Sequence, residues 1–237
     1  MSLEKQVAIE EKFTSIFNAD AFKQRLNDQD FALYEKAKKK LTFAKHETVF
    51  EDGEMPKGVY HIISGAAKLS KSGAFGKDQI LRFITEGDII GYRSILCGEA
   101  FQAKAEAMTD IECLFLPTDV FMHLLEVDSQ LSFAMLQKIA YELGESSNTI
   151  TFLAQKTVRE RLAEILILLE QKLGVDPEGF IKISLTREEI ANLIGTATES
   201  AIRLISEFKS DQLIEVEGRN IKIINRDKLI KLGHVSL

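Results

Sequence analysis

The stretch 184–208, SLTREEIANLIGTATESAIRLISEF, constrains this chain more than any other. It holds two Thr-x-x-Glu patterns ten residues apart, Thr186-x-x-Glu189 and Thr196-x-x-Glu199. In such a capping box the threonine oxygen accepts from the backbone N–H three residues on. The glutamate reaches back to the threonine N–H, so each pattern predicts the start of a helix. Between the two lies Ile194-Gly195-Thr196, a short corner whose glycine suits a sharp change of direction. Two capped helices joined through a glycine predict a helix-turn-helix.

The second of these helices sorts by face. Ala201, Leu204, Ile205 and Phe208 sit at i, i+3, i+4 and i+7 and belong to a core. The opposite side carries Glu199, Arg203, Ser206 and Ser210, with Thr196 and Thr198 close by. An arginine can donate two hydrogen bonds to guanine O6/N7, and a glutamate can accept from cytosine N4. Residues near the N-terminus of a recognition helix are the ones that enter the major groove. A second reading stays open, because Glu199 also completes a capping box and Glu199–Arg203 is an i,i+4 pair any surface helix can carry. Downstream, LIEVEGRNIKII (213–224) alternates apolar and polar residues around Gly218-Arg219-Asn220. That predicts a β-hairpin with a basic tip, a wing on which Arg219 and Lys222 can meet phosphates. Thr186 and Arg187, heading the first helix, complete the candidate DNA-contacting set.

Upstream, residues 157–173 (TVRERLAEILILLEQKL) are amphipathic, with Leu162, Ile165, Leu166 and Leu169 on one stripe. From about 118 to 173 the chain has no proline and only Gly144, which predicts helix. Leu136, Leu143 and Ile150 recur every seven residues, and Ile139, Ser146 and Leu153 follow at an offset of three. Such an a/d seam predicts a helix pair, a homodimer contact through Leu136, Ile139, Leu143, Ile150 and Leu153. The alternative is a helix packed on its own domain. Between 46 and 117 the texture differs: eight of fourteen glycines fall between Gly53 and Gly98, separated by short apolar runs. Glycine-punctuated β-rich runs predict a compact antiparallel roll. Residues 5–45, with Phe13, Ile16 and Phe17 at helical spacing, read as helical, and Lys36–Lys40 as a solvated helix end.

Composition sets limits rather than a function. The chain carries 36 Asp+Glu against 30 Lys+Arg, a net charge of −6. Residues 181–237 hold 9 Lys+Arg and 8 Asp+Glu, so the C-terminal part is near neutral inside an acidic chain. DNA binding needs only a local basic patch, and this distribution permits it. Cys97 and Cys113 are too few for a disulfide framework or a metal site, and His46, His61, His123 and His234 lack ligand spacing. We find no signal core and no apolar run of membrane length, which predicts a cytoplasmic protein without membrane contact. No nucleophile–base set, P-loop or ligand cluster stands out, so no enzyme, metal or cofactor is expected.

Taken in order, these pieces resemble the CRP/FNR family of transcription regulators from about residue 13 to 230. The resemblance rests on Gly58–Gly65 (GVYHIISG), Ile80–Ile84 (ILRFI), Gly87–Gly91 (GDIIG), Val158–Leu169 and, most closely, the helix-turn-helix and wing. It implies that Glu199 and Arg203 read a TGA-containing half-site, that double-stranded DNA and RNA polymerase are partners, and that the roll senses a small-molecule effector. The family often has another reader where Thr198 stands, and Ser or Gly where Ile202 stands. The effector-binding candidates are Gly91, Tyr92, Arg93, Ser94, Phe101 and Gln102. In cyclic-nucleotide-binding relatives a Glu stands at the Tyr92 position, for the ribose hydroxyl, and an Arg at the Phe101 position, for the cyclic phosphate. A bulky aromatic cannot neutralise a phosphate, so the expected effector is not cyclic AMP bound in the usual way. Nor are there N-terminal cysteines for an iron–sulfur cluster.

The expected fold class is α+β: an N-terminal antiparallel β-roll, jelly-roll-like, over 1–127, a long dimerisation helix over 128–155, and a C-terminal winged helix-turn-helix over 156–237. The rival to a DNA-binding regulator is a small-molecule sensing module whose winged domain binds a protein.

Overall fold

The computed structural model describes Ser15, residues 17–73 and residues 76–235. Phe13 and Ile16 lie outside them. Two compact units emerge. One takes the described residues up to Lys71 together with Leu81–Glu145, and the other takes Ser72–Ile80 and the described residues from Ser146 on.

Among the described residues the first unit holds two short N-terminal helices, α1 (Ala19–Arg25) and α2 (Asp28–Ala37), each begun by an asparagine whose side chain accepts one of the first-turn backbone N–H groups. The expected helix does not continue to residue 45. Lys39–Phe43 is strand β1, paired antiparallel so that Leu41 faces Cys113 and Phe43 faces Ile111. The alternation of Lys40, Leu41, Thr42 and Phe43 suits a half-buried strand, and the absence of Gly or Pro before it hid the boundary. Thus only Lys36 of the Lys36–Lys40 cluster is helical; Lys40 pairs with Glu112 across the ladder at 2.6 Å.

The strands are β2 (Thr48–Phe50), β3 (Gly58–Ser64), β4 (Ala67–Ser72), β5 (Asp78–Ile84), β6 (Ile89–Ile90), β7 (Lys104–Ala107) and β8 (Ile111–Pro117). They form two four-stranded sheets, β1-β8-β3-β6 and β2-β7-β4-β5. Inward residues from both sheets, among them Phe50, Ile62, Ala67, Ile84, Ile90, Ala105 and Cys113, make one core. This is the expected antiparallel roll. Gly58 shows why the sequence needs glycine there, since a Cβ would lie 2.2 Å from the Leu116 carbonyl oxygen. A second core joins α1, α2, the short helix α3 (Tyr92–Cys97), α4 (Thr118–Val127) and the start of α5 (Ser129–Gln155) against Val59 and Leu116.

The long helical region breaks at Asp128. Its buried carboxylate accepts the N–H groups of Gln130 and Leu131 at 3.0 and 3.1 Å and a hydrogen bond from Arg25 Nε at 2.8 Å. That caps α5, which then runs for 27 residues. Thr157 and Glu160 form a further capping box, which starts α6 (Val158–Leu173). The second unit continues with α7 (Arg187–Ile194), α8 (Thr198–Ser210), the hairpin β9 (Ile214–Glu217) and β10 (Asn220–Ile223), and α9 (Arg226–Gly233). Close packing of α6 and α9 depends on Gly233, where a Cβ would stand 2.8 Å from the Glu164 nitrogen. Among the described residues no helix is long and apolar enough to cross a membrane.

Candidate nucleic-acid interface and sensor pocket

Helix α7 begins as its sequence demands. Thr186 is the N-cap, its hydroxyl accepts from Glu189 N at 3.1 Å, and Glu189 Oε2 accepts from the Thr186 N–H at 2.8 Å. It ends at Gly195, which is left-handed at φ +62, a conformation glycine adopts without penalty. The second expected capping box is absent. Helix α8 starts at Thr198 with Ala197 as N-cap and no side-chain cap. Thr196 lies in the corner one residue before the N-cap, where its N–H donates to Ala191 O at 3.0 Å. Glu199 is therefore released from the capping role that competed with base reading.

Helix α8 buries Ala201, Ile205 and Phe208 and turns Glu199, Ile202, Arg203 and Ser206 outward. Arg203 Nη2 donates to Ser200 Oγ at 3.3 Å, and among the described residues neither Glu199 nor Arg203 has an ion-pair partner. The i,i+4 pair of the rival reading does not form. Arg159 of α6 clamps the far end of α8, with Nη1 on Glu207 and Nη2 on Asp211, both at 2.7 Å, and its guanidinium 5.0 Å from the Phe208 ring. Arg159 thus ties the C-terminal end of α8 to α6, while Glu199 and Arg203 stay exposed. At the wing, Arg219 is exposed beside Gly218, whereas Lys222 is partly engaged by Glu215 (3.9 Å) and by the Phe180 ring (5.6 Å). Arg187 Nη2 donates to the Gly218 carbonyl at 2.8 Å, tying α7 to the wing, and its partial burial pushes its pKa down. Ser206 donates back to Ile202 O.

In the first unit, two of the candidate effector positions, Tyr92 and Phe101, are buried aromatics. Phe101 stacks on Phe50 with ring centroids 3.9 Å apart. Gly91 is left-handed at φ +92 and caps α3, on which Tyr92 is buried. The Tyr92 hydroxyl donates to Glu142 of α5 in a short hydrogen bond. Burial raises the Tyr92 pKa, and Glu142 adds to it. Glu142 also receives Arg82 Nη1 at 2.7 Å and lies 3.6 Å from Lys138 Nζ, which lies 3.4 Å from Asp88. Asp88 Oδ2 in turn accepts Thr85 N–H at 2.9 Å. Beside this group His61 is buried, its Nε2 has no hydrogen-bond partner among the described residues, and burial pushes its pKa down to about 4 against the opposing pull of Asp88. Ser94 is buried and donates to Ala100 O, whereas Arg93 and Gln102 are exposed and meet Glu99 at 3.8 and 2.8 Å.

A model of the cyclic nucleotide-binding domain matches residues 40–128, and one of the Crp-like helix-turn-helix domain matches residues 160–232. The chain belongs to the CRP/FNR family of transcription regulators. That family consists of regulators and not of enzymes. A "CRP-like cAMP-activated global transcriptional regulator" of Mycobacterium tuberculosis is 26% identical over 193 residues, 81% of this chain and 86% of the relative. The "Fumarate and nitrate reduction regulatory protein" of Escherichia coli K12 is 28% identical over 200 residues, 83% and 79% of the two chains. Among solved structures, a CRP/FNR-family regulator from Eubacterium rectale superposes with a TM-score of 0.77 at 18% identity, covering 90% of this chain and 98% of that one. FixK2 from Bradyrhizobium japonicum gives 0.73 at 23%, covering 84% and 99%. These two likenesses speak to the fold.

The roll of this CRP/FNR regulator also holds a polar network. The polar network of Arg82, Asp88, Lys138 and Glu142 was not visible in the sequence, since its cross-element pairs, Arg82–Glu142 and Lys138–Asp88, join residues 60 and 50 positions apart. The seam positions divide. Leu136 and Leu143 are 61% and 69% exposed, and Ile139 and Ile150 are exposed too. Leu153 is half-buried within the second unit, its Cδ2 only 3.1 Å from where a Cβ on Gly195 would stand. Among the described residues no cluster of three His, Cys, Asp or Glu can hold a metal.

Proposed function

We propose that this CRP/FNR regulator works as a cytoplasmic homodimer on a pseudo-palindromic site, with Glu199 and Arg203 of α8 reading base edges. Thr196, Thr198 and Ser206 flank them, and Thr186, Arg187, Arg219 and Lys222 contact or orient towards the backbone phosphates. The observation that carries this reading is the outward face of α8, where two complementary charged groups stand exposed and without ion-pair partners among the described residues on a helix clamped from behind by Arg159. The exposed apolar stripe of Leu136, Ile139, Leu143 and Ile150 supports pairing through α5, which would set two recognition helices about 34 Å apart. Leu153 serves the second unit's own packing more than that seam.

The roll's positions Tyr92 and Phe101 are occupied by packed aromatics, which supports an effector other than a cyclic nucleotide held by its phosphate and ribose. RNA polymerase is the partner through which such a dimer acts. Selection from a randomised duplex library, followed by titration of the selected site, tests the central claim. Wild type is expected to enrich a two-fold site, and Arg203→Ala to cost about 1–3 kcal/mol and to relax one base position in each half-site. An Arg203→Ala protein that binds the selected site like wild type removes the recognition-helix assignment.

A further inference from the structure

Helix α8 carries one large apolar side chain where a base-reading face has no structural use for it. Ile202 is 45% exposed, while Ala201, Ile205 and Phe208 of the same helix are buried. At about 100° per residue, Ile202 lies about 60° around the helix from Glu199 and about 100° from Arg203, on the flank shared with Ser206. Its neighbours on that surface, Thr198, Glu199, Arg203 and Ser206, all offer hydrogen-bonding groups. A protein-binding surface is built from a contiguous apolar patch. Here a single branched aliphatic group sits among donors and acceptors. The major-groove edge of DNA matches that pattern: every base pair shows donors and acceptors, and thymine alone adds a methyl group.

Resting on the reading that α8 enters the major groove, we infer that Ile202 is a specificity-determining residue that packs on the 5-methyl group of a thymine in each half-site. Because Ile202 precedes Arg203 and lies to one side of it, the thymine belongs to a base pair next to the one Arg203 reads. Removing one methyl from that contact weakens binding about fourfold per half-site, and about fifteenfold when both half-sites of a dimer's target lose it, taking about 0.8 kcal/mol per buried methyl-sized group and tenfold per 1.4 kcal/mol.

The test uses the full chain and the duplex it selects from a randomised library. Each thymine is replaced in turn by deoxyuridine, which removes only the methyl group. Wild type is expected to lose about fourfold at one thymine beside the Arg203-dependent position, and Ile202→Val to keep that sensitivity. Ile202→Ser, a change at an exposed position, is expected to bind thymine and deoxyuridine duplexes alike and to accept other bases there in its own selection. The inference falls if every deoxyuridine substitution is neutral for wild type, if Ile202→Ser stays methyl-sensitive, or if no thymine is selected next to that position. In those cases Arg203→Ala still weakens binding, so the DNA reading survives. If wild type selects no site at all, the DNA reading fails and this inference fails with it.

Discussion

Replacing Lys138 by Met tests how the roll is joined to α5. Lys138 and Asp88 are 3% and 4% exposed, and their charges stand 3.4 Å apart. At an effective dielectric of about 20, that distance corresponds to about 5 kcal/mol of gross attraction, most of it offset by the loss of hydration. Removing one partner of a buried pair costs about 3–5 kcal/mol, because the other charge stays buried. Several contacts here survive the change. Asp88 keeps the Thr85 N–H, and Glu142 keeps Arg82 and Tyr92. Methionine also replaces most of the lysine stem. The expected loss is therefore at the low end, about 3 kcal/mol, or a fall of about 6–12 °C in Tm for a chain of this size. Adding Asp88→Asn neutralises the stranded carboxylate while keeping an oxygen for Thr85, and is expected to recover about half of the loss. Urea unfolding followed by circular dichroism measures both variants. The reasoning is refuted if Lys138→Met unfolds within about 0.5 kcal/mol of wild type, or if the double variant is no more stable than the single one.

Three further outcomes are expected. Leu143→Glu puts a carboxylate on the exposed seam of α5, where a dimer would bury it unpaired; sedimentation is expected to show a folded monomer, and a fully dimeric variant would put the interface elsewhere. Calorimetric titration with cyclic AMP or cyclic GMP is expected to show no micromolar binding, because Phe101 packs on Phe50 where a phosphate partner would stand; binding with a matching change in DNA affinity overturns this. His61 has a folded pKa depressed to about 4 from 6.5, so the unfolded chain binds the extra proton first. Its contribution is complete above about pH 6.5, is lost as the pH falls towards 4, and amounts to about 3 kcal/mol. The pH dependence of the urea midpoint is expected to be flatter over that window in His61→Phe, and an unchanged slope contradicts the burial argument.

Local signals in the chain were enough for the elements that carry their own instructions. The Thr186 box, the Gly195 corner, the spacing of Ala201, Ile205 and Phe208, and the wing around Gly218 each depend on residues a few positions apart, and each forms where the pattern puts it. The glycine-punctuated roll was legible for the same reason, as was the family resemblance. Tertiary structure decided the rest. It ended the N-terminal helix at Ala37, because burying Leu41 and Phe43 against β8 outweighs a helical preference that no residue interrupts. It left α8 without a side-chain cap, with Thr196 in the corner one residue before the N-cap, and so settled that Glu199 is open rather than occupied. It placed Leu153 beside Gly195, although its heptad position matches the exposed Ile139. It also gathered the buried Asp88, Tyr92 and Lys138 and the half-buried Arg82 and Glu142 into one network. Periodicity reports which face of an element is apolar. It carries no information about which distant charge will share a desolvated site, since that pairing exists only once the sheets and α5 have closed around it.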